Sequence, residues 1–151
     1  MVQSQTIIRR PQLRIKNKIT VINMTQIAII RIRGTDDVNG EIESTMKMLK
    51  LHKKHVCSVY PKTATLMGML EKCKDYVTYG ELDEETHKLL IEKRPVKKLN
   101  KDTKKEEVQN YFHLHPPRGG FERRGIKTPF SMKGALGYRK EKINALIKKM
   151  L

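Results

Sequence analysis

QIAIIRIRGT, residues 26–35, is the stretch from which the fold can be read. Over residues 26–33 apolar side chains alternate as they do in a β-strand, with Ala28, Ile30 and Ile32 on one face and Ile27, Ile29, Arg31 and Arg33 on the other. The first set is a core face. The second begins apolar and ends in two arginines, which fits a sheet face that is covered at one end and meets an anion at the other. Two solvated arginines at a strand end give the same pattern. Gly34, Thr35, Asp36 and Asp37 then supply a turn.

Outward from this strand the elements alternate. Asn39 caps a helix whose first turn carries Glu41 and Glu43, and Ile42, Met46 and Leu49 form its core stripe with Met48 and Leu51 beside it. Residues 56–60 read as a second strand stopped by Pro61. Thr63 caps a second helix in which Leu66, Met69, Leu70 and Cys73 stand at i, i+3, i+4 and i+7. Residues 76–82 read as a third strand, with Gly80 as a bulge, and Asp83 caps a third helix that contains Leu89, Leu90 and Ile91 and must end before Pro95. Alternating elements usually point to a parallel α/β sheet. Here the units are too few and too short, so the expected class is a compact α+β core with its helices packed on one face.

Four regions follow: a basic N-terminal tail (1–25), the α+β core (26–93), a linker (94–110) and a C-terminal segment with a helix (111–151). The tail shows no stable period and is expected to be extended until a partner orders it; alternatively, synthesis starts at Met24. Residues 96–110, VKKLNKDTKKEEVQN, are polar and of mixed charge, as in a linker or a poorly packed helix. The last segment reads YFHLHPPRGGFERRGIKTPFSMKGALGYRKEKINALIKKML. Its helix is expected over 140–150, with Ile143, Leu146, Ile147 and Met150 on one face and therefore docked on something apolar.

The charge map separates these regions. The net charge is +16 over 151 residues, yet residues 26–93 hold eleven basic and eleven acidic side chains. Residues 1–25 carry +5, residues 94–112 carry +3 and residues 113–151 carry +8. A neutral body with basic ends suits a polyanion, because the ends repel one another until a counter-charge arrives. With about 6–10 phosphates contacted, affinity would fall roughly 10³–10⁵-fold between 50 and 200 mM salt. A membrane surface usually requires a basic amphipathic helix with apolar anchors, which only the last helix partly resembles. The longest strongly apolar run near the front is Ile27, Ala28, Ile29 and Ile30, too short to span a bilayer, and Ile7-Ile8 runs into Arg9-Arg10-Pro11 where a secretory signal would continue apolar. Cys57 and Cys73 give no disulfide framework, so a reducing cytoplasm is the expected compartment.

Within 111–151, Gly119, Gly120, Gly125, Gly134 and Gly137 alternate with Arg118, Arg123, Arg124, Lys127, Lys133 and Arg139, and Phe121, Phe130 and Tyr138 stand among them. Permissive backbone, guanidinium groups and flat rings together suit nucleic acid. A single Arg-Gly-Gly is weak by itself and could belong to a basic surface loop. Pro116 and Pro117 before it, and the cations that continue beyond it, strengthen the RNA reading. Arginines are expected to make the shaped contacts, bridging phosphate oxygens and stacking on bases, while lysines contribute point charge. No catalytic or cofactor chemistry is expected. The acids sit at helix N-termini, the serines lack a nucleophile context, and no glycines match a phosphate-binding loop. His52, His55, Cys57 and Cys73, or His113 and His115, lack the paired spacing of a zinc site, so buried inert thiols and solvated imidazoles are expected.

Three blocks resemble a known family: IAIIRIRGT (27–35); MKMLKLHKKHVC (46–57) continued by GMLEKCKDYVTYGELDEET (68–86); and FHLHPPRGGF (112–121) with GALGYRKEKINALIKKM (134–150). The chain resembles the archaeal form of large-subunit ribosomal protein number thirty, whose eukaryotic counterpart is number seven. The resemblance implies a ferredoxin-like βαβαβ core with a three-stranded antiparallel sheet in the order 3-1-2. It further implies a non-catalytic place on the large ribosomal subunit, bound to rRNA near 5S rRNA and beside other large-subunit proteins. Carried over by position, Arg31, Arg33 and Gly34 would form a strand-end turn facing rRNA, and Arg118, Gly119, Gly120, Tyr138 and Arg139 an RNA-facing C-terminal segment. Arg123, Arg124 and Lys127 join that set on charge alone. The chain departs from the family in a shorter segment before FHLHPPRGGF and a longer basic tail before Met24.

The expected function is thus a structural ribosomal protein, its N-terminal arm and C-terminal segment gaining order on assembly. The rivals are an RNA-binding protein of a non-ribosomal, RNA-processing particle, and a small enzyme or metal-binding regulator with a ferredoxin-like core.

Overall fold

The computed structural model describes residues 25–99 and 106–151. The expectations for the tail before Thr25 and for the middle of the linker lie outside these residues. In chain order the elements are β1 (Gln26–Arg31), α1 (Gly40–Met48), β2 (Val56–Pro61), α2 (Ala64–Cys73), β3 (Val77–Glu81), α3 (Glu84–Lys93), β4 (Lys97–Leu99), β5 (Glu106–Val108), β6 (Tyr111–His113), a single 3₁₀ turn (Phe130–Met132), β7 (Gly137–Tyr138) and α4 (Lys142–Met150).

Local chemistry explains where the helices begin. The Asn39 side chain accepts from the Glu41 N–H at 3.3 Å, and the Thr63 hydroxyl accepts from the Leu66 N–H at 3.2 Å. Asp83 occupies the cap position of α3 without bonding through its side chain; its own N–H donates to Asn144 Oδ1 at 3.1 Å, so α4 takes part in fixing that corner.

β1 lies at the centre, antiparallel to both neighbours, with Ile29 opposite Ser58 of β2 and Tyr79 of β3. This central triplet has the expected 3-1-2 order. The sheet is nevertheless five-stranded and mixed, β6-β2-β1-β3-β7, which corrects the three-stranded antiparallel expectation. β6 pairs antiparallel with β2, Phe112 opposite Cys57, and β7 pairs parallel with β3, Gly137 opposite Thr78. The physical reason is that each outer strand of a bare triplet would expose a row of unpaired N–H and C=O groups. Segment 111–151 supplies a partner to both.

A second correction concerns the layers. Helices cover both faces of the sheet. Ile27 and Ile29 pack with Met46 of α1 and with Leu66, Leu70 and Cys73 of α2, while Ala28 and Ile30 pack with Leu90 of α3 and with Ile143, Leu146, Ile147 and Met150 of α4. This is why both side-chain sets of β1 are apolar: Ala28, Ile29 and Ile30 are each 0% exposed. The stripe on α4 thus docks on the second sheet face, each of its four large side chains contributing about 1.5–3 kcal/mol of gross burial energy. Met48 and Ile91, by contrast, are exposed.

Gly80 forms no bulge. It stays in register opposite Ala28, and a Cβ there would run into the Lys140 carbonyl oxygen and the Ile143 side chain. Its missing side chain lets α4 sit directly on β3. The stretch expected as a linker or helix contains a hairpin ladder, with Lys97 opposite Val108 and Leu99 opposite Glu106.

Candidate nucleic-acid interface

The loop between β6 and β7 is held in shape by its own chain. Its first part is tied to the last turn of α4: the His115 and Arg118 N–H groups donate to the carbonyls of Met150 at 3.0 Å and Lys149 at 3.2 Å, acceptors that a helix end leaves free. Gly119 and Gly120, at φ +82° and +79°, then turn the chain, and the Gly120 N–H closes on the Pro117 carbonyl at 3.0 Å. Phe121 stacks on His55, with ring centroids 6.0 Å apart and planes 14° off parallel, and also packs on a small cluster of Ile32, Ala135 and Leu136. Beyond it the Arg124 N–H reaches the Lys133 carbonyl at 3.3 Å, and the Thr128 hydroxyl donates to the Arg124 carbonyl at 2.9 Å.

Arg139 holds this loop from inside. It is 2% exposed, and all its nitrogens have protein acceptors: Nε donates to Thr78 Oγ1 at 2.9 Å, Nη1 to Glu122 Oε1 at 2.9 Å and Nη2 to the Ala135 carbonyl at 3.0 Å. Its guanidinium also lies 4.7 Å from the Phe130 ring centre. Burial pushes the Arg139 guanidinium below the usual arginine range, and the Glu122 carboxylate acts in the opposite direction.

Arg31 is used in the same way at the end of β1. Also 2% exposed, it donates from Nη1 to the carbonyls of Leu51 at 2.7 Å and His52 at 3.3 Å, from Nη2 to Gly34 at 2.9 Å and from Nε to Arg33 at 3.0 Å. Its pKa is lowered by burial, with Glu43 opposing. Arg33 is half-buried, its guanidinium 4.8 Å from the Tyr76 ring centre and one nitrogen donating to the Asp75 carbonyl at 3.3 Å. Gly34 beside it packs close to the Lys54 side chain.

The eleven residues expected to face RNA therefore divide. Arg118, Gly119, Gly120, Arg123, Arg124 and Lys127 are exposed on one loop, and among the described residues none of these four cations has a side-chain partner. Tyr138 is 41% exposed, its hydroxyl donating to Glu81 Oε1 at 3.2 Å and its ring 5.5 Å from that of Tyr79. Arg33 and Gly34 lie at a half-buried turn. Arg31 and Arg139 offer no surface, because their donors are already bonded inside the protein. Lys140, Lys142 and Lys149 are exposed around the start and end of α4 and had no signal in the sequence beyond charge.

The cysteines of the imagined metal set lie on opposite sides of the sheet, Cys57 packed with α3 and α4 and Cys73 with α1 and α2. Burial pushes their thiols up, to about 12 and about 11 respectively. Among the described residues no helix is long and apolar enough to cross a membrane.

Residues 27–77 match the family described as ribosomal protein L30p/L7e. The large ribosomal subunit protein uL30 of Methanococcus maripaludis is 41% identical over an alignment that covers 82% of this chain and 98% of the relative. That of Methanococcus vannielii is 43% identical with the same coverage, and that of Nanoarchaeum equitans is 40% identical over 82% of this chain and 97% of its own. The chain belongs to this family. The family is one of structural ribosomal proteins and not of enzymes. In each case the alignment is longer than the part of this chain it takes in, so the relatives carry residues with no counterpart here.

Proposed function

We propose that this protein is a structural constituent of the large ribosomal subunit that binds and stabilises rRNA. The observation that carries this is the match with archaeal large-subunit proteins over nearly their whole length. The charge pattern supports it: a neutral core holds out a loop on which Arg118, Arg123, Arg124 and Lys127 have no side-chain partner among the described residues. Four cations on a hydrogen-bonded frame lose little freedom when phosphates arrive, and the open backbone at Gly119 and Gly120 lets a sugar-phosphate chain approach closely. Neighbouring large-subunit proteins and the vicinity of 5S rRNA complete the reading. In it Arg31 and Arg139 act from within, shaping the turn and the loop whose surfaces Arg33, Gly34 and Tyr138 share.

Sedimentation through a low-salt, magnesium-containing gradient tests the assignment. The protein should travel with the large subunit; recovery away from it would favour an RNA-processing particle. Crosslinking in intact subunits tests the finer part. Crosslinks from 118–127 to 5S rRNA or RNA adjoining it are expected, and crosslinks confined to remote rRNA would remove the 5S element.

A further inference from the structure

A cavity of about 620 Å³ opens where β7 meets the start of α4. Tyr138 and Phe130 line it as rings, Ser131 as a hydroxyl, Lys140 and Lys142 as cations, and Glu81 and Glu141 as carboxylates. A smaller hollow of about 230 Å³ runs from Gly119 and Gly120 past Lys149 and shares Phe130, Arg139 and Lys142 with the first.

We propose that this cavity takes one unstacked guanine nucleotide of single-stranded rRNA, its base on Tyr138 and its phosphate on Lys140 and Lys142. The proposal rests on the rRNA-binding reading above and adds a base-selective position to it. Three features argue for a base in place of backbone alone. First, the Tyr138 ring is held in position while exposed, backed by Tyr79 and fixed at its hydroxyl by Glu81. A pre-positioned flat ring is what a splayed-out base stacks on. Phe130, half-buried on the α4 side of the cavity, has Arg139 and Lys142 against its ring at 4.7 and 5.6 Å, so it forms a wall of the cavity and Tyr138 the platform.

Second, the cavity mixes signs. Glu81 Oε1 is already engaged by the Tyr138 hydroxyl at 3.2 Å and by Lys62 Nζ at 3.3 Å, which leaves Glu141 as the exposed carboxylate of the cavity. A surface for phosphates alone gains nothing from Glu141, whereas a base edge that presents N–H groups needs such an acceptor. Third, guanine presents two adjacent donors, N1–H and the 2-amino group, that match one carboxylate. Uracil instead flanks its single N–H with two carbonyls that a carboxylate repels. The lysines are then left for the phosphate, and Ser131 can donate to or accept from the base or ribose.

The test uses the full chain with three probes: the tetranucleotides UUGU and UUUU, and free GMP. Ring resonances of Tyr138 and Phe130 are followed by NMR, alongside filter binding to deproteinised large-subunit rRNA. UUGU should shift both rings and bind about 10-fold tighter than UUUU, the scale of one bidentate base-edge contact. Tyr138→Ala should abolish that difference and Tyr138→Phe should keep it, both with an unchanged salt slope on whole rRNA. Equal binding of UUGU and UUUU, or rRNA binding without movement of the Tyr138 ring, overturns the proposal. GMP binding as tightly as UUGU would make the cavity a free-nucleotide site and overturn it as well. Failure of the unaltered protein to bind rRNA at all would instead remove the ribosomal reading on which the proposal stands.

Discussion

The turn after β1 and the loop before β7 both set arginine beside glycine, and they use those arginines in opposite ways. Around Arg31 the carbonyls of Arg33, Gly34, Leu51 and His52 converge from two turns with too few N–H groups of their own, so the side chain folds inward and satisfies them. In the loop, backbone groups at 117–133 largely satisfy one another across short turns, and Arg118, Arg123 and Arg124 are left outside. Arginine content alone therefore does not locate an anion site. What separates the two regions is whether unpaired carbonyls already wait nearby, because a guanidinium can be buried only when its donors are used.

The largest effect should come from the inner arginines. Arg31→Met leaves the buried Leu51 carbonyl and three partly buried carbonyls without this donor and should cost about 3 kcal/mol of stability in urea unfolding. Arg139→Met should fall in the same range, since it strips Thr78 and Ala135 of a donor and releases Glu122. A loss below about 1 kcal/mol in either would mean that water replaces the guanidinium, and the contrast would dissolve. The outer arginines should behave inversely. Replacing Arg118, Arg123 and Arg124 together with Ala should leave stability within about 0.5 kcal/mol. The same triple variant should weaken rRNA binding and make its logarithmic salt slope shallower by about 2. An unchanged slope would move the RNA contact elsewhere on the molecule.

The smallest effect sharpens the comparison where the regions meet. His55, under Phe121, has a buried Nδ1 without a hydrogen-bond partner among the described residues and a pKa lowered by burial and then by Lys54. The unfolded chain thus binds a proton more readily than the folded one, so stability is complete above the ordinary histidine value of about 6.5 and declines as pH falls from there toward the lowered folded value. The slope contributed by one such group is at most about 1.4 kcal/mol per pH unit. His55→Phe keeps a stacking ring and should flatten the decline measured by thermal melts between pH 7 and 5. His87, whose pKa is also lowered by burial, should leave a remainder. An unaltered pH profile would show that His55 does not titrate with unfolding.

The central strands and the first three helices were legible because each carries a period long enough to read: the alternation of residues 26–33, the i, i+3, i+4, i+7 spacing of Leu66 to Cys73, and the caps Asn39 and Thr63. The family blocks supplied the order of the triplet. The edge strands were not legible. β6 has three residues and β7 two, too short for any alternation, and Gly137-Tyr138 carries no strand propensity that outweighs its glycine. Helices on both faces were foreshadowed by the apolar Ile27 and Ile29, but the arginines that follow drew attention to solvent. At the candidate interface, the loop cations expected to contact RNA are exposed, as such contact would require. Burial of Arg31 and Arg139 was invisible because it depends on carbonyls brought in from residues 20 or more positions away, Leu51 and His52 for one, and on Thr78 for the other. The Tyr138 cavity was hidden for the same reason, since its walls come from three separated stretches.

The two edge strands also carry a consequence for biogenesis. Both edges of the β2-β1-β3 triplet are closed by residues that follow it in sequence, β6 at 111–113 and β7 at 137–138. A chain made from its N-terminus therefore holds an unsealed triplet until residues 111–138 have been added. During that interval β2 and β3 present open ladders to any neighbouring nascent strand. The order of synthesis thus makes the C-terminal segment the step that ends exposure to mispairing, before any RNA is met.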